Sequence, residues 1–191
     1  DMSSTQHRLV LSLVSSGLST SGFNTVAAIM GLDNILDNLE GFKVNFKRER
    51  GRDPLLYYIT IFGDPGSEKE WGWRLGGHHI SLHYSIKGLK VLSFTPSFFG
   101  ADPADSPLLG PHLHRPLASL EDLGRELFTS LSGANLQSAL ISAVPPVDLT
   151  TGNRSFVTDG DKPMDLIDLW RGEFEGDIKK LLLDLQKNAE K

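Results

Sequence analysis

Two adjacent histidines, His78 and His79, are the residues whose type and position best suit chemistry in this sequence. Neutral imidazole binds zinc, copper or iron, and a divalent ion with an open coordination position can activate water or oxygen. Side chains alternate along a regular strand, so the two rings would face opposite sides of a sheet. Gly76 and Gly77 precede the pair and could bend the chain through a bulge. The pattern therefore predicts that His78 or His79 ligates a divalent metal ion.

A purely structural role accounts for the same histidines without a metal. His79 and His83 would share one face of a strand, but about 13 Å would separate them, which is too far for one ion. Both would then lie on the solvent side of the sheet, while His78 donates a hydrogen bond at its edge. The residues alone leave the two interpretations open.

A second histidine pair, His112 and His114, lies in a proline-rich segment. In an extended chain the two side chains would lie about 6.6 Å apart on one side, a spacing that suits shared ligation. A metal site would need a third ligand, and Asp102 and Asp105 are the nearest carboxylates in sequence. We favour a chance surface pair for these histidines.

Trp73 and Arg74 suggest a different kind of site, one that holds a small organic molecule without a metal. The guanidinium of Arg74 is a planar fork of donors that suits a carboxylate, and the ring of Trp73 could line an apolar pocket. Core packing for Trp73 and an ordinary ion pair for Arg74 are the alternatives. Two hypotheses therefore stand, a metal-dependent enzyme and a noncatalytic binding module, and the sequence does not decide whether the protein is an enzyme.

Composition excludes several other classes of protein. The chain has no cysteine, so thiolate metal sites and cysteine nucleophiles are absent, and no Gly-x-Ser-x-Gly segment supports a serine hydrolase. The formal net charge is −5 and only the run 47–52 is basic, so a nucleic-acid partner is not expected. No apolar run approaches the roughly 20 residues that cross a bilayer, and the first residues lack signal-peptide features. We expect a soluble chain with no membrane partner.

The predicted secondary structure that positions these candidate residues begins with two helices. Ser3 and Gln6 have the spacing of a capping box, and apolar residues then recur at helical intervals up to Gly17. A second helical pattern runs from Ser21 to Gly41 and continues or restarts at its central glycine. The opening forty residues or so are therefore predicted to be helical.

A change of period from 3.6 to 2 marks the start of a sheet. Phe42, Val44 and Phe46 alternate with polar residues, and further β-rich runs are separated by short turns. Strands are predicted at 42–47, 55–62, 71–86 and 89–94. Short turns favour antiparallel pairing, because parallel strands need long crossover connections.

The rest of the chain combines a proline-rich loop with helices. Prolines exclude helix interiors and central strands from residues 95–116. Helical spacing predicts helices at 119–131, 136–141, 165–170 and 173–185. The whole pattern predicts an α+β fold, with an antiparallel sheet of about four strands flanked by N-terminal and C-terminal helices. We expect residues 1–191 to form one domain.

Several segments of the chain resemble the signature of a known family, DUF3500, which is defined by a domain of unknown function. The strongest are residues 71–82, WGWRLGGHHISL, and residues 95–104, TPSFFGADPA. GRDP at 51–54, with Tyr58, and FGDP at 62–65 are similar to the same family's lead-in. Because the family has no assigned activity, the resemblance implies no particular reaction.

The resemblance also bears on the histidines and on the extent of the chain. His78 and His79 fall within a family motif, whereas His112 and His114 match none, so the resemblance favours the first pair. Family members are longer, and their C-terminal part carries a second segment rich in aromatic residues and histidine. The resemblance thus implies that this chain is the N-terminal and central part of a longer protein and holds half of any site that both segments build. A third hypothesis beside the enzyme and the binding module is a purely structural half-domain that only packs against the C-terminal part.

We predict that the isolated chain self-associates through an apolar face that the C-terminal part would cover. Ile80, Leu82, Tyr84 and Ile86 alternate on one side of the predicted sheet, and this face or the opposite one would lose its partner. At roughly 25 cal/mol per Å², a patch of about 400 Å² corresponds to about 10 kcal/mol, which is comparable to the stability of a whole domain. Light scattering and a hydrophobic dye should reveal association, and a monodisperse monomer without dye binding would contradict it.

Overall fold

The computed structural model describes residues 2–95, 97–106, 115–140 and 142–144. The chain divides into two compact units, Asp1–Leu117 and Ala118–Lys191. The first contains two helices and an antiparallel sheet, and the described part of the second contains two more helices. The α+β class predicted from the sequence is confirmed. The helices predicted at 165–170 and 173–185, and the pair His112 and His114, lie outside the described residues.

Two N-terminal helices, α1 (Ser4–Ser16) and α2 (Thr20–Leu39), form as the sequence predicts. The Ser3 side chain accepts a hydrogen bond from the Gln6 backbone N–H at 3.3 Å, and the Gln6 side chain accepts one from the Ser3 N–H at 2.7 Å. These two bonds make a capping box, which satisfies N–H groups that have no partner within the helix. The second helix runs without a break through its central glycine, Gly31.

The sheet contains five strands, and all pairs are antiparallel. The strands are β1 (Tyr58–Phe62), β2 (Glu70–Gly76), β3 (Ile80–Lys87), β4 (Lys90–Ser93) and β5 (Phe98–Phe99). The spatial order is β1-β2-β3-β4, and the two-residue strand β5 also pairs with β3. The sequence predicted a sheet of about four strands, and this prediction is confirmed.

The strand predicted at 42–47 is wrong. The segment forms turns instead, and Phe42, Phe46 and Lys47 have φ angles of 58°, 45° and 62°. Positive φ is incompatible with an extended strand, so the alternation of apolar and polar residues cannot place them on two faces of a sheet. Both phenylalanines are exposed to solvent, at 66% for Phe42 and 62% for Phe46.

The single strand predicted at 71–86 is also wrong, because a hairpin loop divides it into β2 and β3. The register pairs Trp73 with Tyr84 and Arg74 with His83. Paired residues in an antiparallel sheet share a face, so Trp73 lies on the same face as Tyr84 and Arg74 lies on the other. In one continuous strand over 71–86 the period of two would place Arg74 on the same face as Tyr84, and the loop overturns that expectation.

One face of the sheet packs against α1 and α2 to form the core. Residues from both helices and from β2 and β3 belong to one buried cluster, which includes Val14, Ile29, Trp73, Leu82 and Tyr84. The rings of Trp73 and Tyr84 stack with their centroids 4.2 Å apart, and the Tyr84 hydroxyl donates to a backbone carbonyl at the end of α1. The face suspected of lacking a cover is therefore covered by helices, and self-association stays a prediction.

The described part of the second unit contains α3 (Ala118–Ser130) and α4 (Gly133–Ala139). Both lie close to the helices that the sequence predicted in this region. On α3, Arg125 and Glu121 form an ion pair of 2.7 Å one helical turn apart. Within the described residues, no helix is both long enough and apolar enough to cross a membrane.

The packing of the core predicts that two leucine substitutions differ greatly in their effect on the free energy of unfolding. Leu82 is 1% exposed between the sheet and the helices, whereas Leu89 is fully exposed at the turn between β3 and β4. We expect Leu82→Ala to lower the free energy of unfolding by about 2–5 kcal/mol, and Leu89→Ala to change it by less than about 0.5 kcal/mol. Urea denaturation measures both values, and equal midpoints for the two variants would contradict this packing.

Candidate functional site

The two histidines of the family motif lie in the loop that joins β2 to β3. The loop is closed by a hydrogen bond from the Gly77 N–H to the Ile80 carbonyl at 2.9 Å. A side chain at Gly77 would overlap the ring of Tyr57, so glycine is required for this close approach. The imidazole rings of His78 and His79 follow at once, with centroids 3.8 Å apart and planes tilted by 41°. The loop thus holds the two rings together at one end of the sheet.

Both ring nitrogens of His78 have partners. Its Nδ1 lies 2.9 Å from Oδ1 of Asp33, and its Nε2 lies 3.2 Å from Nη1 of Arg52. A guanidinium can only donate, so Nε2 accepts and the ring hydrogen sits on Nδ1, which donates to the Asp33 carboxylate. These contacts fix one tautomer and one orientation of the imidazole.

Arg52 connects this histidine to the end of α2. Its Nε and Nη2 donate to the two carboxylate oxygens of Glu40, each at 2.9 Å, in a bidentate pair. These hydrogen bonds lower the pKa of the Glu40 carboxyl and raise the pKa of the Arg52 guanidinium. The guanidinium also lies over the ring of Phe46, 5.1 Å from its centroid. Arg52 is therefore held from three sides.

A second arginine fastens the same segment to α2. Arg50 donates to Asp37 at 3.0 Å and to Asn34 at 2.9 Å, and it lies 3.5 Å from the carboxylate of Asp53. The Asp37 side chain is only 3% exposed, so its charge depends on this partner. The acidic residues of α2 thus hold the segment that carries Arg50 and Arg52 beside the histidine loop.

The segment after β4 brings the other family motif to the same place. Strand β5 pairs Phe99 with Ile80, and the Gly100 N–H donates to the His79 carbonyl at 2.8 Å. Burial lowers the pKa of the His79 imidazole, and the neighbouring His78 lowers it further, while the carboxylate of Asp102 acts in the opposite direction. Segments that are distant in sequence therefore meet around the two histidines.

A cleft of about 650 Å³ opens beside this network, a volume typical of small-molecule sites. Its lining residues come from the turn segment, from β1 and β2, and from the hairpin loop. They are Phe46, Arg48, Gly51, Arg52, Leu56, Tyr58, Thr60, Arg74, Gly76, Gly77 and His78. Three of them are arginines and none is acidic. The cleft therefore has a positive lining in a chain whose formal net charge is −5.

One buried polar atom of the cleft lining, Nε of Arg74, has no hydrogen-bond partner among the described residues. Arg74 lines the cleft, and the ring of Tyr57 lies against Gly77 in the cleft wall. Burial, reinforced by the nearby Asp33 carboxylate, raises the pKa of the Tyr57 hydroxyl. Buried polar groups without partners are uncommon and costly, so the unpaired Nε of Arg74 is an unusual feature of this cleft.

The structure separates the two residues predicted to bind a ligand. Arg74 lines the cleft, but Trp73 is 2% exposed and stacks on Tyr84 in the core behind the sheet. Trp73 and Arg74 therefore cannot line one pocket. Core packing, the alternative considered for Trp73, is the arrangement found.

The predicted metal ligands are together, but they lack a third partner in the described chain. Among residues 2–95, 97–106, 115–140 and 142–144, no group of three or more His, Asp or Glu side chains could hold a metal ion. His78 already uses both ring nitrogens. A metal at His78 or His79 stays a prediction.

Sequence reasoning missed the partners of His78, which are Asp33 and Arg52. A signal for each was present. Asp33 and Asp37 lie four residues apart among the buried apolar residues of α2, and Glu40 follows at its C-terminal cap. A carboxylate on a buried helix face needs a partner, and the basic run 47–52 was the nearest source of cations.

The face that carries Arg74 yields a prediction for His83, its paired residue on β3. Burial lowers the pKa of His83, the charge of Arg74 lowers it further, and Ser81 Oγ lies 3.2 Å from its Nε2. We expect His83 to titrate below 6.5 and Arg74→Gln to raise its pKa, because the variant removes a nearby positive charge. A histidine whose pKa is lowered in the folded state makes its full contribution to stability above about pH 6.5, and that contribution is lost as the pH falls through the folded-state pKa.

Proton NMR titration of the His83 ring tests this prediction. The matched control is Arg8→Gln, which removes an equal charge from the exposed side of α1. An unchanged His83 pKa in Arg74→Gln, or an equal change in both variants, would contradict the assigned contact.

Comparison with known proteins gives one match. The model of the family described as "Protein of unknown function (DUF3500)" matches residues 1–187, nearly the whole chain. No curated protein and no solved structure matches it. Three of the four segments that suggested the resemblance meet around the two histidines: residues 51–54, residues 71–82 and, from the segment 95–104, residues 98–100. The chain belongs to the DUF3500 family.

Proposed function

We propose that this protein binds a small organic anion in the cleft beside the hairpin loop. The observation that carries the proposal is the lining of the cleft, which includes three arginines and His78 but no carboxylate. Positive groups concentrated in a concave site attract anions, and guanidinium groups match the geometry of carboxylates and phosphates. The proposal concerns binding, and it assigns no reaction.

Arg74 is the anchor of the proposed site. It forms no ion pair with a described residue, and its buried Nε has no hydrogen-bond partner there. A buried charged donor that lacks a partner costs more than the roughly 1–3 kcal/mol of a neutral one. A bound anion would supply the counter-charge that no described residue provides for this guanidinium.

Arg52 and His78 form the fixed wall of the site. Arg52 is held by Glu40, Phe46 and His78, and its side chain is only 14% exposed. Such a group contributes its charge and its remaining N–H donors without losing conformational freedom when a ligand binds. Arg48, in contrast, is exposed at the rim of the cleft, where solvent weakens its contribution.

Binding measurements on Arg74→Gln test the proposal. Acetate, succinate and benzoate serve as probes, and isothermal titration calorimetry measures their dissociation constants. Hydrogen bonds to charged groups are worth about 1.5–3 kcal/mol, so we expect the variant to weaken binding by about tenfold or more. Arg8→Gln removes the same charge outside the cleft and should bind as the wild type does. Equal affinity in the two variants, or no binding of any probe to the wild type, would contradict the proposal.

A divalent metal ion at His78 or His79 is a second candidate function, favoured by one contact. The Nδ1–H of His78 is bonded to the carboxylate of Asp33, the arrangement that usually orients metal-binding histidines. Zinc, copper or iron would then bind at Nε2, which must first release Arg52. Remaining ligands would come from residues outside this network.

Metal analysis of the purified protein distinguishes this candidate. If it is correct, the wild type carries a stoichiometric metal ion and the His78→Ala, His79→Ala double variant carries much less. Equal and near-zero metal in both proteins would exclude it.

A further inference from the structure

We infer that the preferred ligand of the cleft is an aromatic monocarboxylate, a planar apolar body with one anionic group. This inference rests on the proposed anion site and names the class of ligand within it. Its basis is the kind of side chain that lines the cleft: an arginine without an ion pair among the described residues, and several apolar residues. The lining combines the guanidinium of Arg74, which has no ion pair with a described residue, with the exposed aromatic side chains of Phe46 and Tyr58 and the partly buried Leu56.

The charges of the lining favour a single anionic group. Glu40 already neutralises Arg52 through two hydrogen bonds, and Arg48 is exposed at the rim. Arg74 alone combines a half-buried guanidinium with the absence of an ion pair among the described residues. A second anionic group on the ligand would therefore find only a solvated partner and would gain little from it.

The aromatic part of the lining is presented by a strained turn. Phe46 and Lys47 have φ angles of 45° and 62°, which are uncommon and strained for residues other than glycine. The Asn45 side chain holds this turn by accepting from the Lys47 N–H at 3.0 Å. As a result, the ring of Phe46 stays 62% exposed in the cleft lining, with Arg52 over it.

An exposed ring in this position is suited to contact with a second ring. Tyr58, at the start of β1, also lines the cleft and is 54% exposed. Aromatic pairs contribute beyond the area that they bury, and a planar ligand loses little conformational freedom on binding. A carboxylate at Arg74 with its ring against Phe46 and Tyr58 would satisfy the charged donor and cover apolar surface together.

The experiment compares four probes by calorimetry or ligand-observed NMR. Benzoate and phenylacetate carry the inferred combination, acetate carries the anionic group alone, and succinate carries two anionic groups without a ring. We expect the two aromatic acids to bind about tenfold more tightly than acetate and succinate, a ratio that corresponds to partial burial of one ring.

Two matched variants then test the role of the ring. Phe46→Asn should remove most of that tenfold preference, measured within the variant as the ratio of benzoate affinity to acetate affinity, because asparagine tolerates positive φ and preserves the turn. Phe42→Asn is the control, since Phe42 also has positive φ, at 58°, is 66% exposed and does not line the cleft. It should bind all four probes as the wild type does.

The binding results distinguish a failure of the aromatic preference from a failure of the proposed anion site. Succinate binding more tightly than benzoate, or a Phe46→Asn variant that keeps the preference for aromatic acids, would overturn the inference and leave the anion site standing. A wild-type chain that binds none of the four probes would overturn both.

Discussion

The buried carboxylate of Asp33 is the constraint on which the site depends. An aspartate that is 4% exposed on the sheet-facing side of a helix must be paired, because an isolated buried charge is too costly to retain. Its partner is His78, which requires the hairpin loop to pass over α2 at this point. His78 in turn accepts from Arg52, and Arg52 is held by Glu40 at the C-terminal cap of the same helix. Two loops are therefore fixed to one helix by a continuous chain of hydrogen bonds.

This arrangement also explains why the cleft is positive although the protein is acidic. The carboxylates of Asp33, Asp37 and Glu40 all belong to α2, or to its C-terminal cap, and they pair with the loop segments. The arginines that line the cleft belong to the turn segment and to β2. The cleft residues therefore present N–H groups, while the acidic groups that balance part of their charge do not line it.

Local signals in the sequence predicted the helices well, whereas the hairpin escaped detection. The capping box at Ser3 and the helical spacing of apolar residues depend only on near neighbours, so α1 and α2 followed from the sequence. In the segment 71–86 the β-type pattern continues on both sides of the loop, and a turn within it changes which residues share a face. That change put Trp73 in the core and Arg74 in the cleft. The partners of His78 were hidden for another reason, since Asp33 lies 45 residues away.

The metal and the anion hypotheses make opposite demands on one atom, Nε2 of His78. A metal ion at Nε2 needs the lone pair that now accepts from Arg52, and a cation there would repel the guanidinium 3.2 Å away. An organic anion needs no such rearrangement, because it binds to donors that are already in place. With Arg52 kept in position by Glu40 and Phe46, displacing it would break three contacts at once. The existing geometry therefore favours the anion. A metal ion would have to bind strongly enough to offset the loss of the contacts that hold Arg52.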